Sequence, residues 1–290
     1  MTGISVPNVT FYMADFEGVN WSDAYMSRVE FACTDRIYLL IYDSDDNAPT
    51  KLDPCAKLKG ARFSGSFMRR ARFNYANLAG SYFNGAALDE ASISDSILTD
   101  SEFAGSDMSG IEIEGSDFAG SDFGRSIDFD CRTLSDPECV RMRGVDFSSV
   151  TMPRVLFRGA EINNVDFAGS DLSRATIDCD SYGDEELCPS FDRVCFNGTN
   201  LTRADLEGVS ISNTDFSTAD ISDARFENVR FENVVFSDAQ IDSARFDDSS
   251  LDSLMRARVK ALELELEETP CTPPWRRELT QWKEKFAFGP

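Results

Sequence analysis

Residues 214–236 read TDFSTADISDARFENVRFENVVF, and in them Phe216, Ile221, Phe226, Phe231 and Phe236 place one large apolar side chain at every fifth position. A helix repeats every 3.6 residues and a strand every 2.0, so neither explains a period of five. The spacing extends through most of the chain. It fits Phe11, Phe16, Trp21, Met26 and Phe31, resumes at Leu58 and runs through Phe63, Phe73, Phe103 and Phe118 to Phe123. It returns from Met142 to Ile177 and again from Phe191 to Leu251. Of the 23 phenylalanines, 19 fall on these places. Two residues earlier stands a small side chain, as at Ala14, Val19, Ala61, Ser101, Val165 and Ala204, with Ile111 an oversized exception. The residue between the two is polar, most often Asp, Asn, Glu or Arg.

Small–polar–large is the alternation of a strand, with the first and third side chains on one face and the middle one on the other. The two remaining places favour Ser, Gly, Asn, Asp and Arg, which suit turns. Each unit therefore reads as a short extended edge followed by a corner. A unit with two inward side chains has no core of its own, so units must stack and share one. The chain reads as a solenoid in which each small inward residue leaves room for a stacked large one.

The pattern [A/S/T/V]-[D/N/E/R]-[L/F/I/M]-x-x over residues 6–251 resembles the pentapeptide repeat proteins. The resemblance implies a right-handed square β-helix with four units per coil. About 41 units then make about ten coils, a rod roughly 50 Å long at ~4.8 Å per coil. The expected organisation is an all-β solenoid over 1–251, with insertions near 33–55, 129–140 and 179–188, and a helical cap over 252–290.

The formal net charge is −23, and residues 252–290 carry equal numbers of acids and bases, so the imbalance resides in the repeat body. Two meanings are open: a solvated acidic surface, or mimicry of a polyanion. Arg62, Arg72, Arg225, Arg230 and Arg245 interrupt the outward acids in the first and last thirds. The middle, with Glu102, Asp107, Glu112, Asp117 and Asp122, is the candidate acidic face. In the core, Phe167 is expected to be indispensable and its outward neighbour Asp166 dispensable. No apolar run approaches the ~20 residues of a membrane span, and the first residues show neither the basic start nor the apolar stretch of a signal peptide.

All eight cysteines relate to breaks in the repeat. Cys33 and Cys55 bracket the first insertion, Cys131 and Cys139 the second, Cys179 and Cys188 the third; Cys195 and Cys271 remain. Read as disulfides Cys33–Cys55, Cys131–Cys139, Cys179–Cys188 and Cys195–Cys271, they imply an oxidising, extracytoplasmic compartment, periplasmic or lumenal. Read as free thiols, they belong to a cytoplasmic protein. Pairs at insertion necks favour the first reading.

The tail differs in kind. Met255, Val259, Leu262 and Leu266 recur at helical spacing, which suits a helix covering the open end of the solenoid. After Pro273 and Pro274, a second helix is expected with Trp275, Leu279, Trp282 and Phe286 on one face. That face packs on the rod or docks another chain, a homodimer through the C-terminal helices included. The first insertion holds six consecutive apolar residues, Ile37, Tyr38, Leu39, Leu40, Ile41 and Tyr42, which need cover from the rod or a protein partner.

Catalytic chemistry is thin. With no histidine, the common triads and most metal sites are excluded, and no phosphate-binding glycine motif is present. Asp178, Asp180 and Gly183 match three calcium-loop positions, but Tyr182 and Pro189 fill two others. The expectation is a non-enzymatic binding or scaffold rod without cofactor or metal, binding a protein and no nucleic acid directly. The alternative comes from the resemblance: some bacterial members mimic DNA and protect gyrase from quinolones or toxins. A surface binder of antifreeze type would need flat threonine arrays, and outward threonine is sparse.

Overall fold

The computed structural model describes residues 4–32, 56–124, 127–129, 139–182, 185–247 and 250. Within them the chain is an all-strand parallel solenoid of about ten turns. Strand partners lie 20 residues apart wherever no insertion intervenes, as Phe73 pairs with Ile93 and Arg225 with Arg245. Four five-residue units thus make one coil.

The four sides differ. Side I is a ten-stranded parallel sheet from Thr10–Tyr12 to Arg230–Val235. Side II joins through Asp15↔Lys57, Asn77↔Ile97, Asp117↔Asp146 and Asp166↔Cys195. Side III runs from Asn20↔Arg62 through Tyr82↔Glu102 and Asp171↔Asn200 to Asp220↔Gln240. Side IV starts with Tyr25↔Phe67 and Ala87↔Asp107 and becomes a six-stranded sheet from Asp128–Phe129 to Arg245–Phe246.

The large inward side chains stack coil on coil. On side III, Phe63, Phe83, Phe103 and Phe123 lie 4.9, 5.0 and 4.9 Å apart, centroid to centroid. On side II, Phe147, Phe167, Phe196, Phe216 and Phe236 follow at 5.5, 5.4, 4.8 and 4.9 Å. Such stacked pairs contribute about 0.5–1.5 kcal/mol beyond their buried area. Where the small inward residue is serine, its hydroxyl is satisfied by backbone: Ser81, Ser101 and Ser121 donate to the carbonyls of Leu58, Leu78 and Leu98 at 3.0, 3.0 and 2.7 Å. A buried hydroxyl therefore enters the core without an orphaned polar group.

Corners close with a residue at positive φ whose N–H donates to the next coil, as Gly60 does to Ala79 (2.9 Å) and Arg70 to Asp89 (3.0 Å). Glycine adopts this backbone freely. Any residue with a Cβ is disfavoured there by roughly 1 kcal/mol or more, yet Arg70, Glu90, Asp100, Arg154 and others accept it.

One boundary moves. The five-residue count from Phe123 lands on Asp128, but Phe129 is the buried residue and pairs with Phe157. One extra residue in the sequence between Phe123 and Ile127 shifts the count, so the repeat continues through Phe129. The insertions leave from two edges. The described flanks are Ala32 on side I and Ala56 on side II for the first, whereas Phe129 and Arg141, like Ile177 and Ser190, pass from side IV to side I.

Candidate functional site

The outward acids have a local structural role. The backbone N–H two residues on donates to the carboxylate or amide oxygen at Asn77, Asp107, Asp117, Asp122, Asp146, Asp166, Asp171, Asn200, Asp215 and Asp220, at 2.8–3.1 Å. These bonds open the corner as Asx turns, for which Asp and Asn are the suited residues. Eight of the chain's 51 acids are thus used in turning a corner.

The register separates the candidate acidic face. Glu112 lies on side I, Asp117 on side II, Glu102 and Asp122 on side III, and Asp107 on side IV. Successive units occupy successive sides, so these residues belt the rod instead of lining it. Only Glu102 and Asp122 stack, and Tyr82 and Thr151 flank them in the row. The row with most aspartates, Asp117, Asp146, Asp166 and Asp215 on side II, is buried. Asp166 is only 1% exposed, so the expectation that it is a dispensable outward residue does not hold.

The third insertion is a β-hairpin. Strands Asp180–Tyr182 and Glu185–Leu187 pair antiparallel, and the disulfide Cys179–Cys188 ties the neck. Cys139 and Cys195 are also disulfide-bonded. Cys33, Cys55, Cys131 and Cys271 lie outside the described residues, as do Ile37–Tyr42 and the Trp275, Leu279, Trp282 and Phe286 face.

Two features escaped the sequence. Tyr25 and Phe67 form an exposed aromatic pair on side IV, 49% and 58% exposed with centroids 6.4 Å apart. Phe67 is one of the four phenylalanines off the five-residue lattice, which was the available signal. The second is a groove of about 540 Å³ along the edge between sides III and IV, lined by Arg154, Arg174, Arg203, Asp171 and hydroxyl residues. Arg154 and Arg174 recur at the coil spacing of 20 residues, but Arg203 joins them only once the insertion at 179–188 is removed.

The family model described as pentapeptide repeats (8 copies) matches residues 55–89 and 141–177, and the one described as a pentapeptide repeat region matches 188–255. With the parallel solenoid in hand, the family follows. The chain is a pentapeptide repeat protein. Among curated proteins, none matches the chain's sequence. Its coils are similar to HetL, a pentapeptide repeat protein involved in heterocyst differentiation regulation in the cyanobacterium Nostoc sp. strain PCC 7120. That likeness has 17% identity over 84% of this chain and 88% of HetL, with a TM-score of 0.40. QnrB1, a plasmid-mediated fluoroquinolone resistance protein, shares 14% identity over 89% of this chain and 98% of its own, TM-score 0.21. Superpositions this loose speak to neither partner nor role.

Among the described residues of this pentapeptide repeat protein, no cluster of acids and cysteines is placed to hold a metal ion, and no helix is long and apolar enough to cross a membrane. Burial pushes Asp95 above the usual carboxylate range, Glu114 adds to the rise, and a hydrogen bond from Tyr75 opposes it. A raised folded pKa means the folded state holds this proton more tightly than the unfolded chain, so stability falls as pH rises through the window above the ordinary value. Asp95→Asn removes that penalty, and asparagine suits the left-handed φ of 49° there. Thermal melts should show the variant more stable at neutral pH, with the advantage vanishing in acid. A variant less stable at neutral pH would refute the burial argument.

Proposed function

We propose that this protein is a non-enzymatic binding rod that offers its exposed edges, the Tyr25–Phe67 pair and its projecting insertions to protein partners outside the cytoplasm. The observation that carries the reading is the placement of the candidate acids: Glu102, Asp107, Glu112, Asp117 and Asp122 are dispersed over four sides, and Asp117, Asp146, Asp166 and Asp215 of the side II row are buried. A surrogate for DNA needs exposed charge in continuous lines, because groove-like binding is dominated by phosphate-like charge. The paired cysteines at insertion necks support an oxidising compartment. Ile37–Tyr42 and the Trp275/Trp282 face supply further apolar contact for a protein partner or a second copy of the chain.

Three measurements test this. Gyrase supercoiling should be unaffected at micromolar protein; salt-sensitive inhibition abolished by neutralising Glu102 and Asp122 would restore the DNA-mimic reading. Intact mass of the unreduced protein should show the loss of eight protons for the eight cysteines; eight alkylatable thiols in native material would place the chain in the cytoplasm. Photo-cross-linkers at Phe67 and on the hairpin should capture one discrete protein or a second copy, and turnover without capture would argue against a binding role.

A further inference from the structure

Arg154, Arg174 and Arg203 occupy the same corner place on three successive coils, where side III turns into side IV, with φ of 63°, 59° and 59°. Their backbones are held in register: the N–H groups donate to Ser173, Thr202 and Ser222 at 2.8, 2.8 and 2.9 Å. The guanidinium stems therefore leave the rod at the coil spacing of ~4.8 Å. On the same edge the equivalent places elsewhere are Asp23, Gly65, Gly85, Gly105, Asp223 and Ser243, all at positive φ. The backbone is the same, so folding does not call for arginine at this place.

Two of these arginines lack the ion pairs that Arg70 and Arg193 make from their corners. Arg70 pairs with Glu90 on the next coil, and Arg193 lies 2.9 Å from Asp192. Among the described residues, Arg154 and Arg174 make no side-chain hydrogen bond or ion pair, and Arg203 reaches Asp223 only at 3.6 Å between two exposed groups. All three are exposed. Three like charges this close repel one another in a protein whose other charges are mostly acidic.

We propose that this edge groove binds an extended acidic segment of a protein partner, laid along the rod axis with its carboxylates on Arg154, Arg174 and Arg203. Guanidinium is the group suited to bidentate capture of carboxylate. The hydroxyls of Ser173, Thr202 and Ser222 in the same groove suit the backbone groups of an extended chain. Asp171, oriented by the amide of Asn200 at 3.0 Å, and Asp223 lie among the arginines, so an unbroken polyanion is repelled where spaced carboxylates are not. No aromatic side chain lines the groove, so it has no platform for stacking a nucleobase or a sugar ring. The inference rests on the binding-rod reading and names the chemistry of one of its partners.

The test uses the full, oxidised chain and a short fluorescein-labelled peptide of alternating Glu and Ser, with fluorescence polarisation as readout. Arg154, Arg174 and Arg203 are replaced together by glycine, which this edge carries at Gly65, Gly85 and Gly105, so the thermal midpoint should not fall. Affinity for the peptide should drop roughly tenfold or more, since charge-assisted bidentate contacts are lost. A peptide that fails to bind, or that binds the glycine variant equally, overturns the proposal. Tighter binding of an oligothymidylate or an oligogalacturonate of equal charge also overturns it and assigns the edge to that class. None of these outcomes alters the supercoiling, thiol or cross-linking results on which the rod reading stands or falls.

Discussion

Phe167→Ala is expected to lower the unfolding free energy by about 3–5 kcal/mol, the range for deleting a fully buried aromatic and leaving a cavity. The site cannot collapse to relieve the loss. Phe167 is sandwiched between Phe147 and Phe196, with centroids at 5.5 and 5.4 Å and rings within 6° of parallel, and Phe157 meets it edge-on at 6.1 Å. Each coil is held above and below by backbone bonds, Phe167 N–H to Cys195 O at 2.8 Å among them, so neighbouring coils cannot close the gap without breaking the ladder. The comparison is Asp122→Ala, an exposed residue whose carboxylate accepts one bond from Gly124 N–H at 2.8 Å; its loss should be about 0.5–1.5 kcal/mol. Asp166→Ala should fall between, because that carboxylate is buried while it serves Ala168 N–H. Urea unfolding of the three variants decides the order, and equal losses for Phe167→Ala and Asp122→Ala would sink the inward and outward assignment.

The repeat was legible in the sequence because both inward places are constrained by the same stacking requirement, so the period survives every change of residue type. Phe129 was misplaced because a register slip of one residue is invisible to counting by fives, and only the pairing with Phe157 exposes it. The acidic segment was misread for a geometric reason. Residues five apart in sequence are a quarter turn apart in space, so Glu102 and Asp107 look like neighbours in a line and stand on different sides. True neighbours are 20 apart or, across an insertion, more: Arg174 and Arg203 occupy adjacent coils 29 positions apart, which no local pattern reveals. The Asp-rich outward places were visible as composition, while their cause, a bond to the N–H two residues on, needed coordinates.

Cys179→Ser together with Cys188→Ser should cost about 3 kcal/mol by the loop-closure argument for a nine-residue separation. The hairpin sits on the edge where side IV becomes side I, directly against the next coil. There Gly208 holds φ of 71°, and a Cβ added to it would lie 2.4 Å from Cys179 Sγ and 3.4 Å from Cys188 Sγ. Gly208→Ala therefore carries two penalties. The left-handed backbone disfavours alanine by roughly 1 kcal/mol whatever surrounds it, and the sulfur must move. In the serine double variant the smaller, unbridged side chains can turn away, leaving the backbone penalty alone. The two changes should then be non-additive, with Gly208→Ala costing more in the disulfide-bonded protein than in the serine background. Sites in contact commonly couple by 0.5–3 kcal/mol, whereas independent ones add within about 0.3–0.5 kcal/mol. Denaturant melts of the four proteins in the cycle measure the difference, and additivity within that margin would mean the bridged neck does not rest on Gly208.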